Sequence, residues 1–166
     1  PIKNCFDPVL RKQCEIVKNI DGELINLSKD MIETTLAAPG IGLAANQIGV
    51  PWRVFVVNMG VETDTDNLIT LINPEITAME GSESGEEGCL SIPDVVVEVN
   101  RAIQIEIKAV DLNGKDIRYE ASGLLARALQ HEMDHLNGIL FWDSLGKIKR
   151  DILKRKFKKK LKEQEE

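Results

Sequence analysis

The chain's two histidines sit four residues apart in one pentapeptide, His131-Glu132-Met133-Asp134-His135. Four residues is just over one helical turn, so on a helix both imidazoles leave the same face. A divalent metal can bind both rings, and the intervening Glu132 then reaches the water on that metal. This is the residue pattern of metal-dependent amide hydrolysis. Two imidazoles seldom hold a catalytic metal alone; a third protein ligand is usual, with the fourth position left for water. Downstream of His135 the nearest carboxylates are Asp143 and Asp151, and neither lies in a convincing second helix. Upstream stands Glu86-Glu87-Gly88-Cys89-Leu90-Ser91-Ile92-Pro93, where a cysteine is flanked by a glycine that permits close approach and followed by a proline that stiffens the exit. On spacing alone, both sources of a third ligand stay open.

These residues need elements to carry them. A helix is expected from about Asp21 to Ala37, with Asp21 as N-cap and Pro39-Gly40 as its stop. Val54–Val57 and Leu68–Ile72 read as strands, the second ended by Asn73-Pro74. Ile103, Ile105, Ile107 and Ala109 alternate with polar residues, the mark of a half-buried strand, and Asn113-Gly114 turns the chain into Asp116–Glu120. The histidine helix should start at Ser122 and end at Asn137-Gly138. Leu124, Ala128, His131 and His135 share one of its faces, so the imidazoles should continue an apolar stripe and point inward. Several antiparallel strands with two or three separate helices make an α+β domain.

The chain has 166 residues, 43% hydrophobic and 29% charged, which describes one soluble globular domain. No apolar run approaches the ~20 residues that span a bilayer, and Pro1-Ile2-Lys3-Asn4-Cys5 has no signal-peptide character. The expected place is the cytoplasm of a bacterium, unless an organelle leader was removed before residue 1. The net charge of −6 hides an asymmetry: Lys147 to Glu166 carries ten basic and four acidic residues, leaving −12 on the rest. An acidic body does not suggest nucleic acid as substrate, and no base sequence should be read. The tail reads as a basic helix with Ile148, Ile152, Phe157 and Leu161 as its apolar stripe. Cys5 and Cys14 are expected to fill small apolar gaps.

Three segments together resemble the signature motifs of the peptide deformylases: Gly40-Ile41-Gly42-Leu43-Ala44-Ala45-Asn46-Gln47, Glu87-Gly88-Cys89-Leu90-Ser91 and Gln130-His131-Glu132-Met133-Asp134-His135, in the family's order and separation. Asp7-Pro8-Val9-Leu10-Arg11, Asn73-Pro74-Glu75-Ile76 and Arg101 match as well, so the likeness runs from about residue 3 to about residue 145. The resemblance implies antiparallel sheets packed around a central helix, a catalytic domain over 1–146, and a basic helix over 147–166. It implies removal of the formyl group from N-formyl-methionyl nascent peptides. Cys89, His131 and His135 would ligate one divalent metal, Fe²⁺ physiologically, with Zn²⁺, Ni²⁺ or Co²⁺ as replacements. Glu132 would shuttle the proton, and the Gln47 amide and the Leu90 backbone N–H would stabilise the oxyanion. Gly40, Ile41 and Gly42 would run along the substrate backbone. Ile41, Leu90, Leu124 and Ala128 would line a pocket for the methionine side chain. Glu87 and Arg101 would brace the cysteine segment. The tail would dock on the ribosome.

One departure stands out. Many bacterial deformylases carry a basic residue shortly after the proline of the cysteine motif, whereas Asp94-Val95-Val96-Val97 follows Pro93 here. Two other functions fit parts of the pattern, an H-E-x-x-H endoprotease and a catalytically silent, ribosome-associated metal protein. The missing downstream ligand argues against the first, and intact Glu132 and Gln47 against the second.

Overall fold

The structure is a computed structural model that describes residues 1–60 and 67–165. Helix α1 spans Gly22–Ala37, and the Asp21 carboxylate accepts the Leu24 N–H at 3.1 Å as its cap. Strands β1 (Gly42–Ala44), β2 (Val54–Asn58), β3 (Leu68–Glu80), β6 (Gln104–Val110) and β7 (Asp116–Ser122) form an antiparallel sheet in the order β1-β2-β3-β6-β7. Strands β4 (Glu83–Cys89) and β5 (Ile92–Arg101) pair only with each other. Helix α2 (Gly123–Leu136) carries both histidines, and α3 (Lys147–Glu165) closes the chain.

Strand β2 explains the layering. Its side chains alternate between two faces: Phe55 and Val57 meet Ala126, Leu129, Met133 and Leu136 of α2, while Val54 and Val56 meet Leu24, Leu27 and Met31 of α1. Both faces of the large sheet are therefore covered, and α2 sits between that sheet and the β4–β5 hairpin. This is the expected α+β arrangement with antiparallel sheets around a central helix. A third cluster joins Cys5, Ile92, Val97, Val99, Leu140, Phe141, Trp142 and Phe157 beside the hairpin. Cys5 and Cys14 are both buried in apolar clusters, as their surroundings in the sequence suggested. Among the described residues, no helix is long and apolar enough to cross a membrane.

Three expectations need correction, and one feature was missed. Strand β3 does not end at Asn73-Pro74 but runs on to Glu80, its register with β6 shifting between Ile72 and Glu75. Asn73 takes a left-handed conformation (φ 50°), and its side-chain amide bonds both backbone groups of Val17, at 2.8 and 2.9 Å. Proline, with no N–H to pair, thus falls within an irregularity the sheet tolerates. Ile103 lies before β6 and is exposed. In α3, Ile148 and Ile152 are exposed, and the packed stripe is Leu153, Phe157 and Leu161. Finally, β4 and β5 were not foreseen at all.

Candidate metal centre

Helix α2 delivers His131 and His135 one turn apart, with their Nε2 atoms 3.1 Å from each other. Cys89, the last residue of β4, places its Sγ 3.4 Å from His135 Nε2, and the three donor atoms all lie within 4.8 Å of one another. In a tetrahedral site with metal–nitrogen bonds of ~2.05 Å and a metal–sulfur bond of ~2.3 Å, nitrogen pairs are ~3.3 Å apart and nitrogen–sulfur pairs ~3.6 Å. The observed separations of 3.1 and 3.4 Å come within a few tenths of an ångström of those lengths. One soft thiolate and two imidazoles are also a donor set that suits iron, cobalt, nickel or zinc better than magnesium or calcium. The residues present fit a divalent ion.

The electrostatics agree. Burial, with the His131 cation adding to it, lowers His135 well below the usual histidine range and keeps its ring neutral, the form a metal binds. Burial also lowers His131, but its hydrogen bonds to Cys89 and Glu87 outweigh this and hold it up at about 10. A bound cation would take the place of the proton that His131 holds.

Glu87 is buried, and its carboxylate accepts from His131 Nδ1 at 2.8 Å, from Arg101 Nε and Nη2 at 2.8 and 3.0 Å, and from Arg127 Nη1 at 2.8 Å. Burial alone would raise its pKa, but the bonds from Arg101 and His131 reverse this and bring it to about 2. Arg101 extends on to Asp134, with Nη1 2.5 Å from Oδ2.

Glu132 lies one residue past His131 and is buried, with one carboxylate oxygen lacking a hydrogen-bond partner in the structure. Burial pushes its pKa up to about 7, against the pull of the His131 cation. A carboxylate there is poised to gain and lose a proton near neutral pH. Gly42 gives it room, since a Cβ on Gly42 would stand 3.1 Å from Glu132 Cγ and 3.0 Å from the Val56 carbonyl. Gln47 sits in a short 3-10 turn after β1 (Ala45–Ile48). Its Oε1 accepts the Ala44 N–H at 2.9 Å, and its Nε2 points across to Ser91 Oγ at 3.1 Å and Cys89 Sγ at 3.8 Å.

A pocket of about 470 Å³ opens over these groups. Gly40, Ile41, Gly42, Gln47, Leu90, Leu124, Ala128 and Glu132 all line it, so the structure brings every sequence-designated substrate and catalytic residue to one cavity with Cys89 and His131. The α2 stripe is not uniformly inward: Leu124 is 42% exposed at the mouth, whereas His135 is 1% exposed at the base. Four participants had no place in the sequence reading. Arg127 and Asp134 complete the ion-pair array around Glu87 and Arg101. Ser91 receives Gln47, and Asn46 donates to the His135 carbonyl at 2.7 Å. Asn46, Ser91 and Asp134 lie within the three motif segments, which was the signal available; Arg127 had none.

The family model of the polypeptide deformylases matches residues 1–151. The chain belongs to this family. The curated peptide deformylase of Syntrophobacter fumaroxidans is 50% identical over 157 residues, covering 95% of this chain and 92% of that one. That of Thermodesulfovibrio yellowstonii is 49% identical over 159 residues, 96% of each chain. The crystal structure of a peptide deformylase from Legionella pneumophila superposes with a TM-score of 0.92 at 41% identity, covering 99% of this chain and 96% of that one. The activity that goes with membership is removal of the N-formyl group from newly made polypeptides.

Proposed function

We propose that deformylation takes place in the pocket above Cys89, His131 and His135, with those three side chains as the ligands of one divalent ion. The observation that carries this reading is the convergence of a thiol and two imidazoles beside one cavity, whose lining includes Cys89, His131 and the buried Glu132 with its unpartnered carboxylate oxygen. An ion held by those residues would supply polarisation of a water, lowering its pKa towards ~7. Glu132 takes up the proton that water loses as it attacks the formyl carbon, then returns it to the departing amine. Its raised pKa suits both transfers. The Gln47 Nε2–H and the Leu90 N–H donate to the oxygen on which charge develops. The Gly40–Gly42 segment that leads into edge strand β1 pairs with the extended peptide without reading its sequence, and Ile41, Leu90, Leu124 and Ala128 enclose the methionine side chain. The run Asp94-Val95-Val96-Val97 offers no basic side chain to the downstream residues of the substrate.

The physiological ion is Fe²⁺ on this reading. Affinity places iron below zinc, so occupancy follows availability and activity. The reaction belongs in a bacterial cytoplasm, where formylated chains are made. Residues 1–146 contain the catalytic groups, and α3 (Lys147–Glu165) is a basic helix whose exposed Lys158, Lys159 and Lys162 face ribosomal phosphates. Formyl-Met-Ala, acetyl-Met-Ala and casein as parallel substrates test the function. Turnover of the first alone supports it. Casein cleavage would indicate an endoprotease, and no turnover with full metal loading a silent metal protein. Anaerobic reconstitution with Fe²⁺, Ni²⁺, Co²⁺ and Zn²⁺ tests the metal: a zinc form as active as the iron form, and stable in air, would refute iron.

A further inference from the structure

The thiol and the imidazoles arrive on elements that share no strand ladder, because β4 and β5 pair only with each other while α2 packs on the other sheet. Side chains must therefore set the distance between them. Two arginines cross the gap in opposite directions. Arg101, at the end of β5, reaches Asp134 on α2. Arg127, on α2 one turn before His131, reaches back to the hairpin. Its Nη1 donates to the Val99 carbonyl at 2.7 Å and to Glu87 at 2.8 Å, with the Gly85 carbonyl at 3.5 Å. Its Nη2 donates to the Glu83 carbonyl at 2.8 Å. One guanidinium thus grips the backbone of both strands of the hairpin that ends in Cys89. Its side chain is only 13% exposed, so water competes little for these bonds. Gly85 admits it: a Cβ there would lie 3.0 Å from the guanidinium carbon.

We propose that Arg127 is a positioning residue for the metal centre, fastening β4 and β5 to α2 and so setting the approach of Cys89 to His131 and His135. The inference rests on the assignment of those three residues as ligands. Charge neutralisation of Glu87 is not the essential contribution, since Arg101 already bonds that carboxylate through two nitrogens. What Arg127 adds is the set of carbonyl contacts on both strands, which need a planar fork of donors and which a lysine ammonium cannot reproduce. Although the guanidinium forms part of the pocket wall, its bonded hydrogens are turned to the hairpin.

The test uses full-length wild type, Arg127→Met, Arg127→Lys, Gly85→Val and Cys89→Ser, each loaded with Co²⁺. Two quantities are read, the thiolate-to-cobalt absorption band and the rate of Co²⁺ loss to excess EDTA, with the thermal midpoint recorded alongside. Arg127→Met is expected to lose Co²⁺ about 10–100-fold faster than wild type, with a displaced or weakened band, as for supporting residues at other metal sites. Arg127→Lys should behave like Arg127→Met. Gly85→Val, which pushes the guanidinium off the strand without removing its charge, should change both readings in the same direction and carries the test if Arg127→Met fails to fold. A lowered thermal midpoint with wild-type band and wild-type Co²⁺ loss in Arg127→Met and Gly85→Val would overturn the proposal. Wild-type retention in Arg127→Lys would overturn it too, by showing that charge suffices. A band that persists in Cys89→Ser would overturn the ligand assignment, and the inference with it, a failure distinct from the other two.

Discussion

His131 Nδ1 lies 2.8 Å from the Glu87 carboxylate and donates to it, so the nitrogen left to give up its proton to an ion is Nε2, the atom 3.1 Å from His135. One hydrogen bond thus selects both the tautomer and the orientation of a proposed metal ligand. Glu87→Gln should speed metal loss to a chelator about 10–100-fold. Glu87→Ala should add a stability loss of roughly 3–5 kcal/mol in urea, because Arg101 and Arg127 would be left buried without their shared partner. Wild-type metal retention in both variants would mean that the bond does not orient His131 for an ion.

Glu132→Gln should keep fold and metal, since the carboxylate is not among the three donors. Turnover should fall by at least ~10²–10⁴, because an amide cannot carry the proton. Most of wild-type kcat at full metal content would show that another group does this work.

Gln47 is best probed by glutamate, not leucine. Leucine would leave the buried Ala44 N–H without its acceptor, a cost of ~1–3 kcal/mol that would blur the kinetics. Gln47→Glu keeps an acceptor for Ala44 and removes the Nε2 donor. A loss of ~10²–10³ in kcat with a smaller change in KM is expected. A loss confined to KM would mark Gln47 as an ordinary binding residue.

Phe157 is 2% exposed, in ring contact with Trp142. Phe157→Ala should therefore destabilise the whole enzyme by ~3–5 kcal/mol, so truncating the tail would confuse docking with stability. Lys158→Glu with Lys159→Glu lies on the exposed face of α3 and should shift stability by no more than ~0.5 kcal/mol. That pair should weaken ribosome co-sedimentation in a salt-dependent way while sparing small peptides. Unchanged co-sedimentation would remove the ribosome as partner.

Burial pushes the Cys14 thiol up to about 11, with Arg53 only partly opposing it, against 9.0 for an unperturbed thiol. A pKa raised by folding gives stability that is complete below about pH 9 and is lost as pH climbs through 11. Urea midpoints should fall between pH 9 and 10.5, and less steeply in Cys14→Ala. Equal slopes would place the alkaline sensitivity elsewhere.

Why some of this was readable and some was not follows from where the information lies. The His131–His135 spacing and the Ile105–Ile107–Ala109 alternation are local, and both describe the elements that form. Strand β4, by contrast, is Glu-Ser-Gly-Glu-Glu-Gly-Cys, with no apolar alternation, and it becomes a strand through its partner β5 and the bonds from Arg127. The β-branched run Val95–Val97 was the available hint of that hairpin. In α3, two stripes with near-helical spacing were present, and the position of Trp142 decides which is buried; no pattern inside the helix encodes that. Arg127 could not be assigned a role because all four of its partners lie on strands 28–44 residues away.

The proposed ligands and the oxyanion donor come from segments far apart in the chain, Gln47 being 42 residues before Cys89 and Cys89 46 residues before His135. No fragment that folds early can hold the complete donor set, because the last imidazole comes from a helix made after all seven strands. On the proposed ligand assignment, ion capture would require long-range closure of the whole domain. A chain that carried the ion would then have closed its fold, and a misfolded fraction of a preparation would register as a shortfall in bound metal.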